Sequence, residues 1–303
     1  MPSSNKVVLT ALLGNSLIAA TKFLAAFYTG SSAMFSEAVH SVVDSSNQLI
    51  LLYGIKRSKN KADAKHPFGY GKEIYFWSFI VSILILSLGS GVLFYEGLHK
   101  LSSTKVNTNQ IINYIVLCLA IIFEGYVCLV AVKEFRKTKG SSGWIESIRK
   151  SKDPALFLIL IEDIAALLGL FVALVSIALG DYFGLPIFDA IGSLVISLIL
   201  ALTAGFLGYE CKGLLIGESA SKDIVSGINE ILKEENGIKY VNDLLTMHFG
   251  PQDILLNTSL DFEDDMSSLE VEKTIARLEN KIKNKFTNVK RIYIEAQSSI
   301  EKD

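Results

Sequence analysis

The chain has 303 residues, half of them apolar and only 20% charged, with a mean hydropathy of +0.40. That is too little charged surface for an ordinary soluble protein of this length. The formal net charge of −2 conceals an asymmetry: residues 208–303 hold 12 Lys/Arg against 18 Asp/Glu, and the preceding residues hold 17 against 13. The polar, acidic last third therefore reads as a separate soluble domain behind an apolar one. Three cysteines, Cys118, Cys128 and Cys211, show no CxxC spacing and imply neither a disulfide framework nor a thiolate metal site.

Apolar windows of about 20 residues, the length that crosses a bilayer core, recur near 7–28, 33–55, 75–98, 111–133, 154–179 and 186–208. The first follows six residues with one lysine and no small-residue cleavage site, so it is expected to be retained rather than removed as a signal peptide. Basic residues set orientation. The loop after the second window has six Lys/Arg and the loop after the fourth has seven, whereas the others have none or two. Both basic loops, the N-terminus and the C-terminal domain are thus expected on the cytoplasmic side.

The second window, which contains "SEAVHSVVDSSNQ", is unusual because it is polar where lipid should be. At about 100° per residue, Glu37, His40, Ser41, Asp44, Asn47 and Gln48 fall on one face, while Val42, Val43, Leu49 and Ile50 fall on the far side. Ionisable groups at bilayer depth cost about 2.5–3.5 kcal/mol each on insertion scales and face a bundle interior or a water-filled cavity. His40 and Asp44, one turn apart, make half of a four-ligand site for an ion such as Zn²⁺. A His–Asp hydrogen bond that only locks the bundle is the blander alternative.

A half-site requires a second half. The fifth window contains one ionisable cluster, Glu162 and Asp163, in an otherwise apolar run with no packing use for two acids. Asp163 lies about nine residues from the cytoplasmic end and Asp44 about eleven, which brings both near the midplane of a core about 30 Å thick. Glu124 is the charge of the fourth window, open as a ligand, a hydrogen-bond acceptor behind the ligands or a proton carrier. Asn15 and Lys22 of the first window could satisfy neighbouring carboxylates. Asp189 with Ser193 and Ser197 forms an i, i+4 stripe suited to helix packing. Glu37 and Glu96 lie where the interface can hydrate them, and His66, His99 and the Gly69/Gly71 pair read as loop residues.

In the last third, "SKDIVSGINEILKEEN" has helical spacing, "IKYVNDLLTMHFG" and "QDILLNTSLDFE" read as strands, and "SSLEVEKTIARLENKIKNKF" opens with a capping box from Ser267 to Glu270. "VKRIYIEAQ" closes with a strand. The predicted order is αββαβ, a small sheet covered by helices on one face. The fold class expected for the whole chain is therefore an α-helical membrane protein, with six transmembrane helices in residues 1–208 and a cytoplasmic α+β domain in residues 209–303 suited to dimerisation.

These features together resemble the cation diffusion facilitators, the zinc-transporter family. The wording of "SEAVHSVVDSSNQ", "HPFGYGKEIYFW", "FDAIGSLVIS" and "LIGESA" agrees, and the likeness runs from about residue 7 to about residue 296. The resemblance implies a homodimer with a tetrahedral site in each protomer, built from the second and fifth spans, and metal exchanged for protons. It also implies a metallochaperone-like tail. Two departures stand out. The family pattern places His or Asp four residues before the fifth-span acid, where this chain has Ile159; Glu162 flanks that place and is the expected replacement, with Glu124 as the alternative. The Glu162–Asp163 pairing is similar to the branch that contains the ninth animal zinc transporter. The tail has Ser259 and Glu295 where metal-binding imidazoles would be expected, which weighs against regulation by bound metal.

The resulting expectation is a non-enzymatic exporter of Zn²⁺ that binds it through His40, Asp44, Asp163 and Glu162, with Glu124, Asn47, Glu37 and Asp189 as supporting or proton-coupling residues. The metal is substrate and no cofactor is expected; protons, a second copy of the chain and the lipid bilayer are the other partners, and nucleic acid is not one. Histidine disfavours Mg²⁺ and Ca²⁺, and the oxygen-rich remainder leaves Mn²⁺, Fe²⁺ and Co²⁺ open. The competing readings are an intramembrane hydrolase, which lacks HExxH or a Ser/His pair at depth, a membrane metal sensor, and a transporter of another solute. The missing targeting extension points to a bacterial inner membrane rather than an organelle.

Overall fold

A computed structural model describes residues 2–29, 32–101, 110–139, 143–185 and 187–298. It separates into two compact units, Met1–Lys59 with Glu73–Lys212 and Asn60–Lys72 with Gly213–Asp303. The boundary differs from the expected one at residue 208: the segment 60–72, between two long helices, belongs to the C-terminal unit.

The first unit is helical. It comprises α1 (Pro2–Thr29), α2 (Ser32–Ser58), α3 (Glu73–Leu84), a π-helical turn (Ile85–Ser90), α4 (Gly91–Leu101), α5 (Gln110–Lys139), the short α6 (Trp144–Lys150), α7 (Pro154–Phe183) and α8, which starts at Ile187 and runs to Ile216. Among the described residues five segments are long and apolar enough to cross a membrane: Asn5–Leu24, Glu73–Leu101, Tyr114–Lys137, Pro154–Phe183 and Ile187–Ile216. Helix α2 is equally long, but its polar stripe lowers its hydropathy, so five apolar spans and one long polar-faced helix stand where six apolar windows were expected. Phe27 (86% exposed), Leu13 (65%), Leu129 (68%) and Leu202 (68%) face outward. Apolar surface on this scale excludes a water-solvated monomer and suits contact with lipid.

Local sequence explains the helix ends. Pro154 starts α7, where its missing N–H is one the helix leaves unpaired in any case. Gly184 ends it in the left-handed conformation at φ 64°, with its N–H bonded to Gly180 O. The π-helical turn had no counterpart in the hydrophobic pattern. Beside it Ser90 Oγ donates to Ser197 O (2.9 Å) and Ser197 Oγ donates to Ser90 O (3.0 Å), a reciprocal clasp onto α8. Gly97 lets α4 approach α8 closely, since a Cβ there would lie 2.8 Å from Leu194 Cδ2.

The second unit has α9 (Lys222–Lys233), β1 (Ile238–Gly250), β2 (Asp253–Phe262), α10 (Ser268–Lys285) and β3 (Val289–Ala296). Strand β2 is central, antiparallel to β1 and parallel to β3, with Leu245 opposite Asn257 and Asn257 opposite Tyr293. Ile254, Leu256 and Leu260 point into a core with Ile228, Leu232, Leu278 and Ile282, so α9 and α10 cover that face. The capping box forms: Ser267 N donates to Glu270 Oε2 at 2.8 Å and Glu270 N to Ser267 Oγ at 3.4 Å.

Segment 60–72 is folded against this sheet. Arg291 holds Asp253 with Nη1 at 2.7 Å from each carboxylate oxygen and donates Nη2 to Phe68 O at 2.9 Å. Its guanidinium lies 5.6 Å from the Phe68 and Phe249 ring centroids, and those rings stack at 5.1 Å. Lys72 Nζ sits 5.1 Å over Phe249, and a side chain at Gly71 would run into Phe249 O. Asp63 caps its own turn, accepting from His66 N (2.6 Å), Lys65 N (3.0 Å) and Tyr70 OH (2.7 Å).

Candidate metal-transport cavity

Helices α1, α2, α5 and α7 enclose a cavity of about 90 Å³, lined by Asn15, Lys22, Ser41, Asp44, Asn47, Glu124, Glu162 and Asp163. That volume holds several waters at about 10–15 Å³ each. The π-helical turn contributes Ile85 and Gly89 to the wall. On α2 the polar face turns inward: Ser41, Asn47 and Gln48 are buried, while Val42 and Leu49 are exposed. Val43, expected on the far side, lines the cavity as well. Glu37 and His40 belong to α2, but their side chains lie outside the described residues.

The acids from three helices face this space. Glu124, Glu162 and Asp163 are buried. Asn47 Nδ2 donates to Glu162 Oε1 at 3.1 Å, tying α2 to α7 at the level of the acids. The second oxygens, Glu162 Oε2 and Asp163 Oδ2, are buried with no hydrogen-bond donor among the described residues, and so is Asn47 Oδ1. Ile159 is fully buried and does not line the cavity. Among the described residues no three His, Cys, Asp or Glu side chains converge closely enough to hold an ion. The acids thus share a cavity without forming a closed ligand shell among the described residues.

Other candidates sit elsewhere. Asp189 pairs with Lys100 at 3.1 Å, away from the cavity lining. His66 packs against Tyr70 at a tilted angle and His99 stacks on Tyr95. In the sheet, Ser259 pairs across the strands with Glu295 and donates to Gln297 Oε1 at 3.1 Å. Lys22, read from the sequence as able to satisfy neighbouring carboxylates, donates its Nζ to Ser41 Oγ at 3.0 Å and lines the cavity.

Residues 8–216 match the family model described as the cation efflux transmembrane domain. The chain belongs to this family, the cation diffusion facilitators. It is 32% identical over 260 residues to the mouse protein named proton-coupled zinc antiporter SLC30A9, mitochondrial, covering 85% of this chain and 46% of that protein. It is 31% identical over 265 residues to metal tolerance protein C4 of Arabidopsis thaliana, covering 87% and 58%. It is also 25% identical over 283 residues to the cation-efflux pump FieF of Cronobacter sakazakii, covering 93% and 89%. The chain spans about half the length of the first of these relatives.

Proposed function

We propose that this chain exports a divalent transition-metal cation, zinc foremost, from the cytoplasm in exchange for protons. The observation that carries the reading is the set of buried oxygens, Asp163 Oδ2, Glu162 Oε2 and Asn47 Oδ1, that have no donor among the described residues, on a cavity that Asp44 also lines. A buried polar atom left unpaired costs about 1–3 kcal/mol, and more when charged, so such a set is retained for something that satisfies it in turn. A cation and protons both do.

In this reading His40 and Asp44 from α2 join Glu162 and Asp163 from α7, with Asn47 holding Glu162 in place. Carboxylates gathered in a desolvated cavity repel one another and take up protons when no cation is present. Metal requires deprotonated ligands and displaces those protons, so exchange follows from the ligands. The long polar-faced α2 serves as the sixth span, the chain ends lie in the cytoplasm and the protein acts as a homodimer. The name of the mouse relative, a proton-coupled zinc antiporter, supports the zinc and proton assignments. The oxygen-rich donor set favours Mn²⁺, Fe²⁺ or Co²⁺ as the second choice of substrate.

Asp163→Ala or Asp44→Ala is expected to abolish zinc accumulation driven by a pH gradient in proteoliposomes containing the full chain. Undiminished accumulation by either variant would sink the assignment. A sensor would accumulate no zinc even as wild type.

A further inference from the structure

The π-helical turn at Ile85–Ser90 interrupts the run from α3 to α4, and it forms part of the cavity wall. Ile85 and Gly89 line the space with Leu93 one turn further on, and Ile196 and Leu200 of α8 line it too. The closing bond of the turn spans five residues, from Gly91 N to Leu86 O, so the helix carries one residue more than an α-helix would there. Local sequence favours this: Ser87 Oγ donates to Ile83 O at 2.8 Å, and glycines stand at 89 and 91. Ser90 and Ser197, both buried, then clasp α8 through their reciprocal bonds at 2.9 and 3.0 Å. We propose that this turn is a register switch for transport. While the clasp is shut it fixes one shape of the cavity; when the clasp opens, the helix beyond it turns and carries Gly89 and Leu93 off the wall. This rests on the reading of the cavity as the transport path.

Turns of this kind are rare and recur at functional sites. In a membrane helix the backbone groups they free need partners, and serine hydroxyls of neighbouring helices supply them. Here Ser90 O and Ser197 O are each met by the other residue's hydroxyl. Single bonds of this type between membrane helices are weak, so a pair of them holds a state without making it permanent. One residue of register turns a helix by about 100° and moves it about 1.5 Å along its axis. That replaces the face presented to the cavity while the acids of α2, α5 and α7 stay where they are. A bulge kept only to seat Ser90 on Ser197 would have the same shape in every state, and this difference separates the two roles.

The test uses the full chain in proteoliposomes with zinc as the probe, alongside zinc binding to the purified protein. The Ser90 and Ser197 hydroxyls stand 3.3 Å apart, so the double variant Ser90→Cys/Ser197→Cys points two thiols at each other, the arrangement a disulfide needs. Oxidation is expected to lock the turn and lower zinc flux at least about tenfold, with zinc affinity within about twofold, because a locked gate stops turnover without touching the ligands. Reduction is expected to restore the flux. Oxidised wild type, which carries Cys118, Cys128 and Cys211, sets the baseline. Deleting Ser87 removes the extra residue and is expected to lower flux to the same degree with zinc binding kept, which decides the matter should the cysteines not join. An oxidised double variant as fast as its reduced form, or a Ser87 deletion as fast as wild type, overturns the switch. Asp163→Ala separates the two claims: if it abolishes flux while the oxidised double variant keeps it, only the switch fails, and if wild type itself carries no zinc, the transport reading fails and the switch with it.

Discussion

Glu162 and Glu124 are both buried and both line the cavity, and Asn47 of α2 orients Glu162 at 3.1 Å. With Ile159 buried and off the lining, we propose Glu162 as the fourth ligand, with Glu124 as the alternative. Glu162→Gln is expected to reduce zinc flux at least about a hundredfold, equivalent to about 2.7 kcal/mol, whereas Glu124→Gln is expected to lose about tenfold or less. Flux measured against zinc concentration checks this, and the reverse order would move the ligand to α5. The polar face of α2 was legible residue by residue, because helical periodicity alone places Ser41, Asp44, Asn47 and Gln48 on one side. That Asn47 Nδ2 meets Glu162 Oε1 was not, since the two lie far apart in sequence and only helix packing sets the distance.

The helix-end elements show how far local rules reach. The capping box at Ser267 and the alternation in β2 involve neighbours within a few residues, so the sequence states them directly. The link between α9 and α10 does not. Glu235, just beyond α9, is buried and accepts from Arg277 Nε and Lys281 Nζ, each at 2.6 Å. Burial pushes its carboxyl up, but the two cations outweigh that and hold it below the usual glutamate range. A depressed carboxylate stabilises the fold above its unfolded pKa of about 4.3, and that contribution is lost as the pH falls below it. Glu235→Gln is therefore expected to destabilise the C-terminal unit by about 1–2 kcal/mol at pH 7, a charge-assisted bond discounted because the cations are half exposed. The difference should vanish once the pH falls below the depressed folded-state value. Hydrogen exchange of α9 and α10 in wild type and variant across that range measures it; a gap that persists at low pH would assign the effect to packing instead.

At the scale of the whole molecule, the chain divides between an apolar helical unit and a polar α+β unit, and composition foretold that much. It did not foretell that segment 60–72 leaves the helices it connects and joins the sheet. The segment reads as a polar, glycine-containing loop, and its anchor Arg291 lies more than two hundred residues further on. Arg291→Ala removes the donor to Phe68 O and the charge over Phe68 and Phe249. It is expected to speed amide exchange in residues 60–72 about tenfold or more, with the sheet core unchanged; equal exchange rates would show that the aromatic stack alone holds the segment.

What the sequence determined by itself is whatever depends on composition and on neighbours one helical turn or one strand alternation apart: the apolar helices, the polar face of α2, the acids of α7 and the strands and caps of the last third. The tertiary structure decided which of those faces meet. It put Glu124 and Lys22 on the same cavity as Asp44 and Asp163, sent Asp189 to Lys100, opened a π-helical turn beside Ser197, and folded 60–72 onto the sheet. Each of these is a contact between segments distant in the chain, fixed by the packing of many side chains at once, and no window of sequence contains it.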